Sequence, residues 1–259
     1  MHERGVRKSE ARISSVELRP DEVHIYLVEP AEVRDPSLLS EYHALMNDAE
    51  RRKHDRYRFE RNRRGCLLTR ALVRTTLSRY CPEIEPAAWQ FEEVGNGRPE
   101  LAPGQTPLPL RFNVSRTEGL IACAVTMQRA IGVDVEFIDQ RRETSGIAER
   151  CFAELELRAL DAQSADRQCA RFYSYWTLKE SYIKARGFGL TIPLQQFAFH
   201  LDESGPIRIS FDSRLADDPT NWQFTLEQPT PRHMLALALA RHNRSDASVR
   251  ISTVVPLRS

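Results

Sequence analysis

Hydrophobic residues in this chain follow a helical pattern and then strand patterns twice, once on each side of residue 130. An apolar stripe within 48–80 has helical spacing, and two short strand-like runs at 110–114 and 120–126 come after it. Beyond residue 130, a helical pattern over 171–186 precedes a further series of strand-like runs. Helices and strands in this order predict the α+β fold class.

The recurrence also predicts how the chain is divided. We expect two similar α+β halves related by an approximate twofold axis, because the same order of elements appears in each. The predicted segments are a flexible N-terminus at 1–15, an N-terminal half at 16–130 and a C-terminal half at 131–259. A chain of 259 residues is long enough to bury a substantial core in this arrangement.

The composition is that of an ordinary globular protein, with 41% apolar residues, 28% charged residues and a net charge of +1. No stretch approaches the ~18 uncharged apolar residues of a membrane span, and the start of the chain lacks the apolar core of a signal peptide. The five cysteines are scattered and show no metal-binding spacing, which indicates reduced thiols. We therefore expect a cytoplasmic protein without a membrane partner.

Basic residues concentrate in one region of the chain. Residues 51–79 contain eleven Lys or Arg against two acids, Asp55 and Glu60. This pattern is typical of a solvated helix face, and it also suits a local anion site or a surface that binds nucleic acid without catalysis. The charge count alone leaves these alternatives open.

Two acids alternate with apolar residues in the strand-like run 131–137. Asp134 and Glu136 are two positions apart, so in a strand both carboxylates lie on one face while Val133 and Val135 lie on the other. Mg²⁺ prefers oxygen ligands and shares itself with substrate phosphates, so a few protein carboxylates are enough to hold it. A strand with one solvated face explains the alternation equally well.

The helical pattern over 171–186 places Trp176, Glu180 and Lys184 on one stripe at intervals of four residues. Glu four residues before Lys is the favoured order for a surface ion pair, and Trp176 suits a core position. The same stripe also suits a site in which the carboxylate meets a metal or a proton and the ammonium meets a phosphate. Spacing does not choose between these interpretations.

In the segment 110–117 the strand-like run ends on polar residues at a turn, where the Ser115 hydroxyl and backbone N–H groups are candidates for binding an anion. An Asn/Ser/Thr cluster of this kind is also ordinary turn chemistry. Arg98, between Gly97 and Pro99, is likewise either an anion contact or an exposed loop cation.

Together and in this order, these segments resemble the Sfp-type 4′-phosphopantetheinyl transferases. The resemblance covers roughly residues 50–200 and includes a basic segment at 59–64 and the Gly-x-Gly-Leu at 187–190. The matching motifs are Gly97-Arg-Pro99, Phe112-Asn-Val-Ser-Arg116, Gly132-Val-Asp-Val-Glu136 and Trp176-Thr-Leu-Lys-Glu-Ser-Tyr-Ile-Lys184. The family has His where this chain has Arg116 and Lys where it has Arg98, and both changes keep or add positive charge.

The resemblance implies a site for each functional group. The implied Mg²⁺ ligands are Asp134, Glu136 and Glu180. The implied catalytic residues are Glu180, Asp134 and Lys184, with Glu180 accepting the proton directly or through a metal-bound water. The implied coenzyme A contacts are Arg61, Arg98, Asn113, Ser115, Arg116 and Lys184.

The resemblance also implies the reaction. A serine hydroxyl of an apo acyl or peptidyl carrier protein attacks the β-phosphorus of coenzyme A, 3′,5′-ADP leaves, and phosphopantetheine stays on the serine. The expected partners are the carrier protein and coenzyme A, without nucleic acid, and the expected active site lies between the halves of a monomer. The alternatives are another Mg²⁺-dependent phosphoryl-transfer enzyme, such as a nuclease, and a non-catalytic nucleic-acid-binding protein.

Overall fold

The computed structural model describes residues 15–95, 97–187, 192–202 and 205–258. The predicted flexible N-terminus lies almost wholly outside them, as do residues 188–190 of the predicted Gly-x-Gly-Leu segment. The helices are α1 (Pro36–Leu45), α2 (Asp48–Asp55), α3 (Glu60–Tyr80), α4 (Ser145–Cys151), α5 (Glu154–Asp161) and α6 (Ala165–Arg186). The strands are β1 (Glu22–Val28), β2 (Phe91–Val94), β3 (Arg98–Leu101), β4 (Leu110–Thr117), β5 (Leu120–Met127), β6 (Ile131–Phe137), β7 (Phe197–His200), β8 (Arg208–Phe211), β9 (Trp222–Thr230), β10 (His233–Ala240) and β11 (Ser248–Thr253).

The connectivity of the chain repeats. One sheet contains β1, β5 and β4 in that order, and a second contains β6, β10 and β9 in that order. In each case a first strand is followed by helices, a two-stranded hairpin and two antiparallel strands, the last of which pairs with the first. This mixture of helices and strands is the predicted α+β class. The shared topology supports the predicted pair of similar halves, whose twofold relation in space stays a prediction.

One strand departs from the predicted division of the chain. β11, near the C-terminus, pairs in parallel with β1 and so joins the sheet formed by the N-terminal half. The boundary after residue 130 falls in the connection between β5 and β6, but one strand of the second segment belongs to the sheet of the first. Periodicity identifies a strand without identifying its partner, so this pairing could not be predicted.

The two sheets pack face to face and the longest helices cover their outer surfaces. Alternate residues of β1, β5, β6 and β10 form one buried apolar cluster between the sheets. On the outer side of the first sheet a second cluster contains α3, and on the outer side of the other sheet a third contains α6. The central strands are therefore covered on both faces, and β1, β5 and β10 are buried along nearly their whole length.

The helical pattern over 48–80 forms two helices instead of the single one predicted. The chain leaves helical conformation after Asp55 and resumes it at Glu60. Arg63 reaches back across this break, and its Nη1 donates to the carbonyl of Tyr57 at 2.9 Å. The Arg63 side chain thus donates to a backbone carbonyl at the break between the two helices. No Gly or Pro marks this break in the sequence.

The α6 helix lies directly against β6 at a glycine. A Cβ built on Gly132 would stand 2.0 Å from the carbonyl oxygen of Ser181 and 2.4 Å from the backbone nitrogen of Ala185. No side chain fits there, so the glycine lets the helix backbone approach the strand. Gly187 ends α6 with a left-handed φ of 72°, a conformation that favours glycine. Among the described residues, no helix is long and apolar enough to cross a membrane.

Candidate active site

The predicted carboxylates lie where β6 faces α6. Val133 and Val135 point into the cluster between the sheets, whereas Asp134 and Glu136 point to the opposite side, toward the helix. Asp134 is 4% exposed, so the alternative of a solvated strand face is wrong for this residue. The period of two along the strand thus places both acids at a strand–helix interface.

Asp134 is the centre of a small polar network. Its Oδ1 accepts hydrogen bonds from Lys184 Nζ at 2.7 Å and from Ser115 Oγ at 2.8 Å. Lys184 Nζ also donates to Ser115 Oγ at 2.9 Å, which closes a triangle of three side chains. The second oxygen of Asp134, Oδ2, is buried and has no hydrogen-bond partner in the part of the chain that the structure describes. A buried acceptor without a donor is costly, and it marks a place for a further positive group.

The other two acids are both destabilised as anions. Burial, reinforced by the charge of Asp134, raises the pKa of Glu136 to about 7. Burial followed by the charge of Asp134 also raises the pKa of Glu180. Trp176 Nε1 donates to Glu136 Oε1 at 3.0 Å and partly offsets this effect. Three carboxylates therefore stand close enough to repel one another, with the ammonium of Lys184 as the neighbouring cation.

The stripe of Trp176, Glu180 and Lys184 faces β6 and is not a solvated helix surface. Trp176 contacts Glu136 and Lys184 contacts Asp134, so each binds an acid of the strand. The predicted alternative, a surface ion pair between Glu180 and Lys184, is absent from the ion pairs of the described residues. The two sets of motif residues therefore form one site.

The chemistry of this donor set fits a divalent metal ion. The unpartnered Oδ2 of Asp134 and the raised pKa values of Glu136 and Glu180 are what a cation among these oxygens would relieve. The three carboxylates are not gathered to coordination distance, however. Among the described residues, a different group has its ligand atoms within 4.8 Å of one another. It consists of His43, His54 and Asp55.

The raised pKa of Glu136 predicts a pH-dependent stability for the metal-free protein. Between the ordinary value of 4.5 and about 7, the folded state keeps a proton that the unfolded state releases. The free energy of unfolding should therefore fall as the pH rises through this window, by about 3 kcal/mol in total, and then level off. Urea unfolding in the presence of a chelator, from about pH 5 to about pH 8, measures this slope. Glu136→Gln should reduce it, and an unchanged slope in that variant would contradict the assignment.

A cavity of about 240 Å³ opens beside this network and brings together residues from several elements. Ser115 and Arg116 line it from β4. Gly97 lines it from the turn before β3, and Pro99 lines it from β3 itself. Further lining residues that the sequence did not single out are Lys53, Tyr57, Cys66, Thr69, Arg70, Glu93 and Val114. The excess of positive charge within 51–79 was the available signal for Lys53 and Arg70.

Arg116 connects that cavity with a neighbouring one of about 390 Å³, which Arg61 also lines. The Arg116 side chain lies over Gly65 of α3, where a Cβ would be 3.0 Å from Arg116 Cδ. The two predicted arginines thus line one cavity, and Arg116 also lines the cavity that contains Ser115. A larger cavity of about 440 Å³, between α1 and β11, has none of the predicted site residues in its lining.

Two predicted coenzyme A contacts have partners within the protein. The side-chain oxygen of Asn113 accepts from the backbone N–H of Val133 at 2.9 Å and so joins β4 to β6. Arg98 Nη1 donates to the carbonyl of Lys184 at 2.7 Å, at the C-terminal end of α6. The Arg98 Nε also lies 2.9 Å from Glu100. Both side chains hold the site's framework together, and their contact with coenzyme A stays a prediction.

Comparison with known proteins gives consistent relatives. A family model described as the 4′-phosphopantetheinyl transferase superfamily matches residues 130–240. A phosphopantetheinyl transferase of Thraustochytrium sp. is 30% identical over 222 residues, covering 81% of this chain and 75% of the relative. A 4′-phosphopantetheinyl transferase of Bacillus subtilis is 32% identical over 167 residues, covering 64% of this chain and 71% of the relative. The 4′-phosphopantetheinyl transferase HetI of Nostoc sp. is 29% identical over 192 residues, covering 74% of this chain and 79% of the relative.

Proposed function

The chain belongs to the 4′-phosphopantetheinyl transferase superfamily, and on this premise we propose that its β6–α6 site moves 4′-phosphopantetheine from coenzyme A to a carrier protein. The acceptor is a serine of an apo acyl or peptidyl carrier protein, and 3′,5′-ADP is the other product. The observation that carries this assignment is the meeting of Asp134, Glu136, Glu180 and Lys184 at one strand–helix contact.

We propose Mg²⁺ as the cofactor, held by Asp134, Glu136 and Glu180. The unsatisfied Asp134 Oδ2 and the raised pKa values of the two glutamates support this set. When bound, the ion would offset the negative charge of the diphosphate and of the leaving 3′,5′-ADP. Lys184 is bound to Asp134 Oδ1, which leaves Oδ2 as the oxygen available to the ion.

The basic side chains of the site would bind and orient coenzyme A. Lys184 and Ser115 are already placed beside Asp134, and Arg116 and Arg61 line the adjoining cavities. Arginine presents a planar fork that matches phosphate oxygens and stays charged near neutrality. Arg116 in place of the family's His therefore keeps the ability to hold a phosphate.

Glu180 is our proposed acceptor for the proton of the attacking serine. A carboxylate beside the reacting hydroxyl is a common general base, and Glu180 shares the strand–helix contact with Asp134 and Lys184. Its carboxylate makes no hydrogen bond or ion pair with any residue that the structure describes, so it is free to receive a proton.

The direct test is incubation of the protein with coenzyme A, Mg²⁺ and an apo carrier protein. Mass spectrometry should show a gain of one phosphopantetheine on the carrier and the release of 3′,5′-ADP. Failure with several apo acyl and peptidyl carriers would overturn the proposed acceptor. Cleavage of a nucleic acid or a nucleotide under the same conditions would instead favour the alternative phosphoryl-transfer enzyme.

Magnesium binding should be visible in stability as well as in activity. With Mg²⁺ at about 100 times its dissociation constant, we expect the free energy of unfolding to rise by about 2.7 kcal/mol. Asp134→Asn should abolish most of that gain, because it removes charge from the central ligand. Glu154→Gln, on an 81% exposed side chain of α5, should keep it. Equal gains in both variants would remove Asp134 from the metal site.

We also propose that the protein acts as a monomer in the cytoplasm. A single chain supplies both β6–α6 and the cavity residues of α2, α3 and β4, so no second copy is required to complete the site. The five cysteines are unpaired, which suits a reducing compartment.

A further inference from the structure

A second cluster of metal-ligating side chains lies apart from the β6–α6 site, where α1 meets α2. His43 is in the last turn of α1, and His54 and Asp55 end α2. One ligand atom from each of the three residues lies within 4.8 Å of the other two. The rings of the histidines are 5.6 Å apart between centroids, and His54 Nδ1 is 2.9 Å from Asp55 Oδ1. Two helices thus bring two imidazoles and a carboxylate together.

The charges and dipoles near this cluster act on a cation in both directions. Both histidines occupy the last turn of a helix, where the backbone carbonyls and the helix dipole present partial negative charge. The α2 helix also carries Arg51, Arg52 and Lys53, which oppose a cation. Arg51, one turn before His54, is paired with Asp48 at 3.3 Å, so part of that opposition is neutralised. Asp55 is exposed and adds a formal negative charge at the cluster.

The ligand chemistry distinguishes this cluster from the proposed magnesium site. Imidazole nitrogen suits Zn²⁺ and its neighbours in the first transition row, whereas Mg²⁺ takes oxygen ligands. Zn²⁺ is commonly held by three protein ligands with water in the fourth position. Its bonds to nitrogen and oxygen are about 2.0–2.2 Å, so atoms now within 4.8 Å of one another need only small side-chain movements to share an ion.

We propose that His43, His54 and Asp55 form a binding site for a dication of the Zn²⁺ class, separate from the magnesium site. The ion would tie the end of α1 to the end of α2. Lys53, the residue before His54, lines the cavity beside Ser115 and Arg116. Occupancy would therefore also fix the helix that presents Lys53 to that cavity. This inference does not depend on the proposed transfer reaction.

The test is titration of the chelator-treated full chain with Zn²⁺, and in parallel with Co²⁺, in a buffer containing millimolar Mg²⁺. Calorimetry should show binding of one Zn²⁺ per chain with micromolar affinity or better. Co²⁺ should give the visible absorption bands of a low-symmetry site with nitrogen ligands. His43→Gln and Asp55→Asn should each weaken binding at least about tenfold. His242→Gln, at an exposed histidine outside the cluster, should leave it unchanged.

Three results would overturn the proposal. They are the absence of Zn²⁺ binding to the wild-type chain at micromolar concentrations, equal affinity in His43→Gln and His242→Gln, and loss of binding in Asp134→Asn instead. Asp55 is exposed, so Asp55→Asn provides a second reading if His43→Gln were to disturb the packing of α1. The outcome is independent of the carrier-protein assay, because binding is read without coenzyme A or a carrier.

Discussion

Glu180→Gln should lower the rate of phosphopantetheine transfer by about a hundredfold to ten-thousandfold while leaving the protein folded. Gln keeps the size of the side chain but removes the charge and the proton-accepting oxygen. The fold should not suffer, because the Glu180 carboxylate has no hydrogen bond or ion pair to lose among the described residues. Burial and the charge of Asp134 already raise the pKa of Glu180, so neutralising it relieves repulsion. Transfer measured by mass gain on the carrier checks the first claim, and urea unfolding checks the second.

The same variant separates two roles that Glu180 would combine. If the stabilisation by Mg²⁺ falls together with the transfer rate, Glu180 acts mainly as a metal ligand. If the stabilisation stays while transfer is lost, it acts mainly as the base. Glu154→Gln is the matched control, since it makes the same chemical change on an exposed helix position. Near-normal transfer by Glu180→Gln would remove this residue from the mechanism.

The acids of β6 could be predicted from the sequence because they depend on short-range periodicity. A spacing of two in a strand fixes a shared face, and the structure places Asp134 and Glu136 on it. A spacing of four in a helix fixes a shared stripe, and Trp176 and Lys184 meet those acids. What periodicity could not supply was the choice between a solvated surface and an interface, since that depends on which elements pack together.

The sequence did not reveal the break between α2 and α3, nor the features that depend on contacts between distant parts of the chain. The 21-residue α3 is separated from α2 by a break that an arginine from the next turn satisfies, without any turn-forming residue to mark it. Lys53 and Arg70 line the cavity beside Ser115 because α2 and α3 pack next to β4. Lys179, within the helix motif, is fully buried and pairs with Glu156 at 2.8 Å. No sequence pattern near Lys179 or Glu156 predicts this pair, because the two residues lie on different helices.

Gly132→Ala should both destabilise the protein and reduce transfer. The added Cβ would lie 2.0 Å from the Ser181 carbonyl oxygen and 2.4 Å from the Ala185 nitrogen, which are backbone atoms of α6. Since neither atom belongs to a flexible side chain, the whole helix must move away from β6. Overpacking a core costs about 1–3 kcal/mol where side chains can adjust, so here we expect a loss of roughly 3 kcal/mol or more. The urea midpoint and the free energy of unfolding measure this loss.

The loss of transfer should exceed what unfolding explains. The α6 helix carries Glu180 and Lys184, so a displacement of about 1 Å misplaces them relative to Asp134 and can cost about a hundredfold in rate. Transfer should therefore be compared at a temperature where Gly132→Ala remains folded by circular dichroism. Gly146→Ala is the control, because a Cβ there meets nothing within 4 Å in helix α4. Alanine should be neutral or slightly stabilising at that position. If the two variants unfold at the same urea concentration, the close approach of α6 to β6 at Gly132 is not what holds the site together.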